Sequence, residues 1–214
     1  MQTDELIASL THELPTTQPN ALARLLITGL LIGATGTLLI FFIGYGVRVD
    51  LNDALISWPF WMKLTYALSI GLIAYLLCER AARPANKLGR LALLPLLPLG
   101  FLAVLSVRTQ MALPESVRIA TWLGHSSLYC PWNIGLLSLP VFAALCCSLR
   151  RAAPTRLRTT GFVAGLLAGA IAALAYGFFC QESSIAFVST WYTLGMLLPA
   201  TVGAIFGNSL LRWS

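Results

Sequence analysis

The chain reads Gly124-His125-Ser126-Ser127-Leu128-Tyr129-Cys130-Pro131-Trp132 and closes the same stretch with Phe179-Cys180-Gln181-Glu182. Between these two ends lie two long apolar segments joined by a short arginine-rich turn. Two apolar helices joined by a short turn form a hairpin, and a hairpin returns its far ends to the same side of a membrane. The pattern therefore predicts that Cys130 and Cys180 are neighbours in space although they are distant in sequence.

The composition is that of a polytopic membrane protein. Of the 214 residues, 57% are hydrophobic and only 10% are charged, whereas soluble domains carry about 25% charged residues. The net charge is +6, but the basic residues cluster in short loops, as membrane orientation requires. We therefore expect the protein to lie in the lipid bilayer and not to bind nucleic acid directly.

The sequence divides into a polar tail, residues 1–21, and a transmembrane domain, residues 22–214. The tail contains acidic residues and no Lys or Arg before Arg24, which is unlike a cleavable signal peptide. Thr3 can cap a short helix whose apolar face would contact a protein partner. A tail without stable structure is the alternative. The residues expected to bind the partner are Asp4, Glu5, Leu6, Ile7 and Leu10.

Six apolar segments approach the ~20 residues that span a bilayer as a helix, so the predicted fold class is all-α with six transmembrane helices. Helices are required because an open strand leaves its backbone groups unpaired in lipid. Pro95 and Pro98 are expected to kink span three, and Pro199 is expected to kink span six. The predicted spans are Leu22–Gly46, Pro59–Leu77, Leu91–Val107, Trp132–Leu149, Gly161–Phe179 and Ser189–Leu211.

The distribution of Lys and Arg predicts that both termini are cytoplasmic. The loops on the predicted periplasmic side hold only Arg48, Lys63, Arg108 and Arg118. The basic residues assigned to the cytoplasmic side are Arg24, Arg80, Arg83, Lys87, Arg90, Arg150, Arg151, Arg156, Arg158 and Arg212.

Nothing in the sequence indicates an enzyme. The spans carry no charged residue or histidine in their middle portions, and ion-coupled transporters usually place such groups there. A phosphate-binding loop, an HExxH pair and a nucleophile elbow are all missing from the sequence. Glycines repeat every four positions in spans one, five and six, for example Gly29 with Gly33, which predicts close packing of helices within the chain.

The five cysteines fall into two groups. Cys78, Cys146 and Cys147 lie at the predicted cytoplasmic side, where thiols stay reduced and usually behave as small buried hydrophobic residues. Cys130 and Cys180 lie at the opposite side, where disulfides persist. A bridge between them is feasible, because neighbouring helices pack 8–10 Å apart, but spacing alone leaves it open.

Polar and aromatic residues accompany the thiol pair. His125 and Glu182, with two thiolates, can make a site for a soft metal ion, although ordinary residues at a membrane boundary are the alternative reading. The identity of any metal stays unknown. Residues at the span boundaries are interpreted as an interfacial aromatic belt, namely Trp58, Trp61, Trp132, Trp191 and Tyr192.

The order of several short motifs resembles one known family. They are Thr3-Asp4-Glu5-Leu6-Ile7, Trp58-Pro59-Phe60-Trp61-Met62-Lys63-Leu64, Cys130-Pro131, Leu149-Arg150-Arg151-Ala152-Ala153-Pro154, Cys180-Gln181-Glu182-Ser183, Trp191-Tyr192 and Leu211-Arg212-Trp213. Together they resemble the six-helix inner-membrane anti-sigma factors called negative regulators of sigma-F. The resemblance covers essentially the whole chain.

The resemblance implies a bacterial inner-membrane protein that holds an extracytoplasmic-function sigma factor inactive. The family's paired periplasmic cysteines correspond to Cys130 and Cys180, which implies a sensor of heavy-metal or oxidative stress with no resident cofactor. Movement at the thiols would reach the sigma factor through a cytoplasmic coupling turn that contains Arg150, Arg151, Arg156 and Arg158. The alternative is a small membrane transporter or a thiol–disulfide membrane protein, although a Cys-x-x-Cys pair is missing from the sequence.

Overall fold

A computed structural model describes residues 20–83 and 88–212 of the chain. Six helices in these ranges are long and apolar enough to cross a membrane, which confirms the predicted all-helical class and the number of candidate spans. In chain order they are α1 (Ala21–Gly44), α3 (Trp58–Ala82), α4 (Leu96–Ala112, after a 3₁₀ turn at Gly89–Leu93), α6 (Cys130–Arg151), α7 (Leu157–Gly177) and α8 (Ile185–Leu210). Two short helices lie between them, α2 (Leu51–Ile56) and α5 (Glu115–Leu123).

Helix α7 lies at the centre of the bundle. It packs against α3, α6 and α8, while α1 packs mainly against α6. Its small residues are buried on nearly every side, whereas Leu102 is the one buried residue of α4. The core therefore consists of α3, α6, α7 and α8, with α1 and α4 at the periphery.

The predicted close packing of glycines within the chain is confirmed. A Cβ added at Gly161 would collide with the Gly203 carbonyl of α8, and one added at Gly33 would collide with the Val141 backbone of α6. Small residues let helix backbones approach each other in lipid, where dispersion contacts replace the hydrophobic effect as the driving force. These glycines hold α7 against α8 and α1 against α6.

Replacing Gly203 with leucine should prevent the chain from forming the α7–α8 interface. The new side chain would collide with the Gly161 carbonyl, and backbone contacts cannot move aside as a flexible side chain can. We expect a loss of more than about 3 kcal/mol of stability, measured as a lower thermal unfolding midpoint in detergent. Gly100→Leu is the matched control, because an added Cβ at Gly100 meets nothing within 4 Å; an equal loss in both variants would contradict the close packing.

Several boundaries differ from the prediction. Span two was predicted to end at Leu77, but α3 continues to Ala82. Span three begins with the 3₁₀ turn and Pro95 precedes α4, so this proline marks a break rather than a bend inside a helix. Pro199 does lie inside α8, as expected. The division between residues 1–21 and 22–214 stays a prediction.

Candidate functional site

Three connections meet at one end of the bundle: residues 45–57, 113–129 and 178–184. The Arg48 N–H donates to the Phe178 carbonyl at 3.1 Å, and the His125 N–H donates to Glu182 Oε1 at 2.6 Å. The structure thus places together the loops that the sequence assigned to one side. Which side of a membrane this end faces stays a prediction.

Cys130 and Cys180 are brought together at this end. Cys130 is the first residue of α6, and its N–H donates to the Ser126 carbonyl at 2.8 Å. Cys180 follows the end of α7, where its N–H donates to the Tyr176 carbonyl at 2.9 Å. The two side chains are 0% and 3% exposed, both cysteines are free, and the Cys130 thiol neighbours that of Cys180. Their role as a sensor stays a prediction.

His125 contacts the Glu182 side chain through its backbone N–H rather than through its imidazole ring. The Glu182 carboxylate accepts the His125 N–H and contacts Gly124, whose φ of 58° lies in the left-handed region that favours glycine. The His125 residue itself is exposed. Within residues 20–83 and 88–212, no three of His, Cys, Asp and Glu are grouped closely enough to hold a metal ion. An accessory role for either residue stays a prediction.

Lys63 is a member of this site that the sequence interpretation missed. It was counted with the basic residues of the predicted periplasmic side although predicted span two contains it, and the structure places it inside α3, where it is only 1% exposed. Its Nζ donates to the Cys180 carbonyl at 2.6 Å and to the Glu182 carbonyl at 3.4 Å, and it lies 5.6 Å from the centre of the Phe60 ring. The sequence does contain an indication of this site, because Lys63 is a single lysine among the apolar residues of a span and charged groups within spans are usually functional.

Arg48 contacts the loop that contains Cys180, and its positive charge is balanced by the carboxylate of Asp50. Its guanidinium forms an ion pair with Asp50 and donates to the Cys180 carbonyl at 3.3 Å. The hydrogen bond with Asp50 raises the pKa of Arg48, and the same hydrogen bond lowers the pKa of the Asp50 carboxyl. Both groups are therefore held in their charged forms, and together they contribute no net charge.

Tyr192 was interpreted as part of an aromatic belt, and the structure shows that this is wrong. Its side chain is 0% exposed and lies in a π-helical turn, Val188–Tyr192, near the start of α8. Such turns occur frequently at functional sites. The Tyr192 hydroxyl lies beside Cys180. Among the described residues, no group lies at hydrogen-bonding distance and angle from this hydroxyl. Trp58, Trp61 and Trp132 are exposed, as a belt requires.

A cavity of about 720 Å³ reaches Cys180 from the loop end of the bundle. Its lining mixes polar and aromatic groups, including Tyr45, Arg48, His125, Ser126 and Glu182. Cys180 is buried but lies at the inner wall of this cavity, whereas Cys130 is not among its lining residues. Small reagents dissolved in water therefore have a route to Cys180.

The opposite end of the bundle holds the predicted coupling turn. Helix α6 ends at Arg151 and α7 begins at Leu157. The Arg150 guanidinium donates to the Leu210 carbonyl at the end of α8, while Arg151, Arg156 and Arg158 are exposed. The residues predicted to bind the sigma factor lie outside the described ranges. They are Asp4, Glu5, Leu6, Ile7 and Leu10.

The other three cysteines lie away from the thiol pair. Cys78 and Cys146 are buried, as expected for small hydrophobic residues, but Cys147 is exposed on α6, which differs from that expectation. The difference follows from helix geometry, because consecutive residues point about 100° apart. Cys147 therefore points away from the core that covers Cys146.

Comparison with known proteins shows the family to which this arrangement belongs. Residues 10–213 match the profile of the family NrsF, described as negative regulator of sigma F. The chain belongs to the NrsF family. The sequence is 37% identical over 213 residues to a probable anti-sigma-F factor NrsF of Azospira oryzae, with 100% of both chains covered. It is 35% identical over 217 residues to the anti-sigma-F factor NrsF of Caulobacter vibrioides, again over 100% of both chains.

Family membership confirms the resemblance seen in the sequence motifs. No solved structure matches the NrsF chain described here. The NrsF family is regulatory by its description, which agrees with the expectation of a protein that is not an enzyme.

Proposed function

We propose that this chain is a membrane-bound anti-sigma factor that holds an extracytoplasmic-function sigma factor inactive and releases it when Cys130 and Cys180 are oxidised. The observation that carries the proposal is the full-length similarity to two anti-sigma-F factors, at 37% and 35% identity. The pairing of two free thiols at one end of the bundle supports the sensing step.

The localisation and topology form part of the same proposal. The protein would lie in the bacterial inner membrane with both termini in the cytoplasm, as the basic residues predict. The thiol pair would then face the periplasm, where disulfides persist. The N-terminal residues Asp4, Glu5, Leu6, Ile7 and Leu10 and the coupling turn would face the sigma factor in the cytoplasm.

Disulfide formation is the chemistry that the geometry favours. The two thiols are free, buried and adjacent at the same end of the bundle. In forming the S–S bond they lose two electrons and two protons, which an oxidant such as a hydroperoxide accepts. We propose no resident cofactor. A thiophilic metal ion is the second candidate signal.

The signal would pass through the α6–α7 hairpin. The thiols lie at the open end of the hairpin, and the turn at residues 150–158 lies at its closed end. The Arg150 hydrogen bond to Leu210 joins this turn to α8. A nearly complete switch requires the signal to favour one state by ~5.5 kcal/mol, which a covalent bond can supply.

Co-expression with sigma factors of the same organism tests the proposal. Each extracytoplasmic-function sigma factor is produced singly with the full chain, and the membrane fraction is assayed for bound sigma. We expect one of them to co-purify under reducing conditions and to be released by hydrogen peroxide. Failure to retain any of them would contradict the proposal. Solute flux in reconstituted liposomes would instead favour the transporter alternative.

A further inference from the structure

We propose that Lys63 is the internal counter-ion of the thiol pair and that it makes Cys180, rather than Cys130, the sulfur that reacts first. This assigns Lys63 as a positioning residue, since it acts through the loop and the charge of Cys180. The inference deepens the proposed function by naming the reactive group of the same site. The chemistry of the thiols can be measured without any sigma factor, so the two proposals can fail separately.

The first observation is the burial of an ammonium group without an ion-pair partner. The Lys63 Nζ is bonded to two neutral carbonyls, those of Cys180 and Glu182. In the described part of the chain it forms no ion pair. Burying a charge is strongly unfavourable unless an opposite charge lies near it. The surroundings of Lys63 therefore favour the formation of an anion close by.

The acidic groups nearest to Lys63 have other partners. Asp50 is paired with Arg48, so their charges cancel. The Glu182 carboxylate accepts the His125 N–H at the rim of the cavity. Lys63 donates directly to the Cys180 backbone carbonyl, which places its amino group beside this cysteine. A thiolate formed at Cys180 would therefore lie next to the positive charge of Lys63.

Access and charge distinguish the two sulfurs. Cys180 lines the cavity of about 720 Å³, whereas Cys130 is not among its lining residues. The neighbouring Cys130 thiol, which is the largest cause, and the positive charge of Lys63 lower the pKa of the Cys180 thiol, although burial opposes them. The charged or titratable groups that face the pair are Lys63 of α3, Tyr176 of α7, Tyr192 of α8 and, from the loops, Arg48, Asp50 and Glu182.

The reaction with a hydroperoxide can be written with this assignment. With hydrogen peroxide as the oxidant, the Cys180 thiolate attacks one oxygen, so an S–O bond forms and the O–O bond breaks. The leaving hydroxide takes up the proton that the Cys180 thiol released on ionisation and departs as water. The Cys130 sulfur then attacks the sulfenic sulfur of Cys180 and forms the S–S bond. The Cys130 proton joins the departing hydroxide as water. The two sulfurs lose two electrons in total, and the peroxide gains them.

The test is the pH dependence of alkylation by iodoacetamide, measured for each cysteine by mass spectrometry on the full chain in detergent. In the wild type, we expect Cys180 to be labelled before Cys130, with a midpoint below the ~8.5 of an ordinary thiol. Lys63→Gln keeps a hydrogen-bond donor but removes the charge. It should slow labelling of Cys180 at neutral pH by about tenfold, the change that one pKa unit produces, and the rate should recover at higher pH.

Two further variants separate charge from structure. Lys63→Arg keeps the charge and should keep Cys180 the first to be labelled. Arg48→Met combined with Asp50→Asn removes the other side chain that donates to the Cys180 carbonyl together with the carboxylate that cancels its charge, so the net charge beside the thiols is unchanged and the pH profile of Cys180 should change less than about twofold. Earlier labelling of Cys130 in the wild type would overturn the proposal. A Lys63→Gln protein with an unchanged Cys180 profile would overturn it as well.

Discussion

Replacing Cys130 and Cys180 together with serine should abolish oxidant-induced transcription from the promoter that the bound sigma factor serves. Serine is close to cysteine in size and keeps a hydrogen-bonding group, but it cannot form the covalent bond that supplies the ~5.5 kcal/mol of a nearly complete switch. The sigma factor should remain bound with or without oxidant. A reporter gene should therefore show the uninduced level under both conditions.

The remaining cysteines provide the matched control. Cys147→Ser changes an exposed thiol at the opposite end of α6 and should leave induction unchanged. Each single substitution, Cys130→Ser or Cys180→Ser, should be as unresponsive as the double variant, because one sulfur cannot form the bond. Normal induction in the double variant would rule out the thiol pair as the sensor, while leaving the anti-sigma role intact.

Hydropathy predicted the six helices but not their ends. Helix α3 continues five residues beyond the predicted Leu77, through Glu79 and Arg80 to Ala82. A window that averages hydropathy ends where charged residues begin, whereas the backbone continues as long as its hydrogen bonds are favourable. The Arg83–Glu79 ion pair at 2.6 Å, one helical turn apart, stabilises this polar extension.

The proximity of the two cysteines followed from simple topology. A hairpin of two spans fixes which ends are neighbours, so Cys130 and Cys180 were expected near one another before any contact was known. Topology cannot specify side-chain direction, however. The position of the buried Cys180 side chain depends on the turn after α7, where the Cys180 N–H donates to the Tyr176 carbonyl.

Lys63 and Tyr192 show why the rest of the site was missed. Both lie near the predicted ends of spans, where a lysine or tyrosine ordinarily faces the membrane interface. Their direction is set by tertiary contacts: Lys63 bonds to the loop after α7, and the π-helical turn places Tyr192 in the core. A single sequence gives the hydropathy of each segment and the order of the segments along the chain. It does not determine which face of a helix end packs against a neighbouring loop.

The second large effect is expected at the N-terminal tail, where Leu6→Asp combined with Leu10→Asp should release the sigma factor constitutively. These leucines lie on the apolar face predicted for the tail helix, and burying one leucine contributes ~1.5–3 kcal/mol. Losing two should weaken sigma binding by at least about a hundredfold. The measurement is retention of sigma in the membrane fraction under reducing conditions, together with reporter expression without oxidant.

The matched control for the tail is His12→Asp. At 100° per residue, position 12 lies opposite the face formed by Leu6, Ile7 and Leu10, so this variant introduces the same charge without touching the apolar face. It should retain the sigma factor. Release by both kinds of variant would point to charge repulsion rather than to an apolar contact. Retention by both would place the sigma-binding surface elsewhere, and the coupling turn at residues 150–158 would be the next region to test, because it joins the thiol-bearing hairpin to α8 through Arg150.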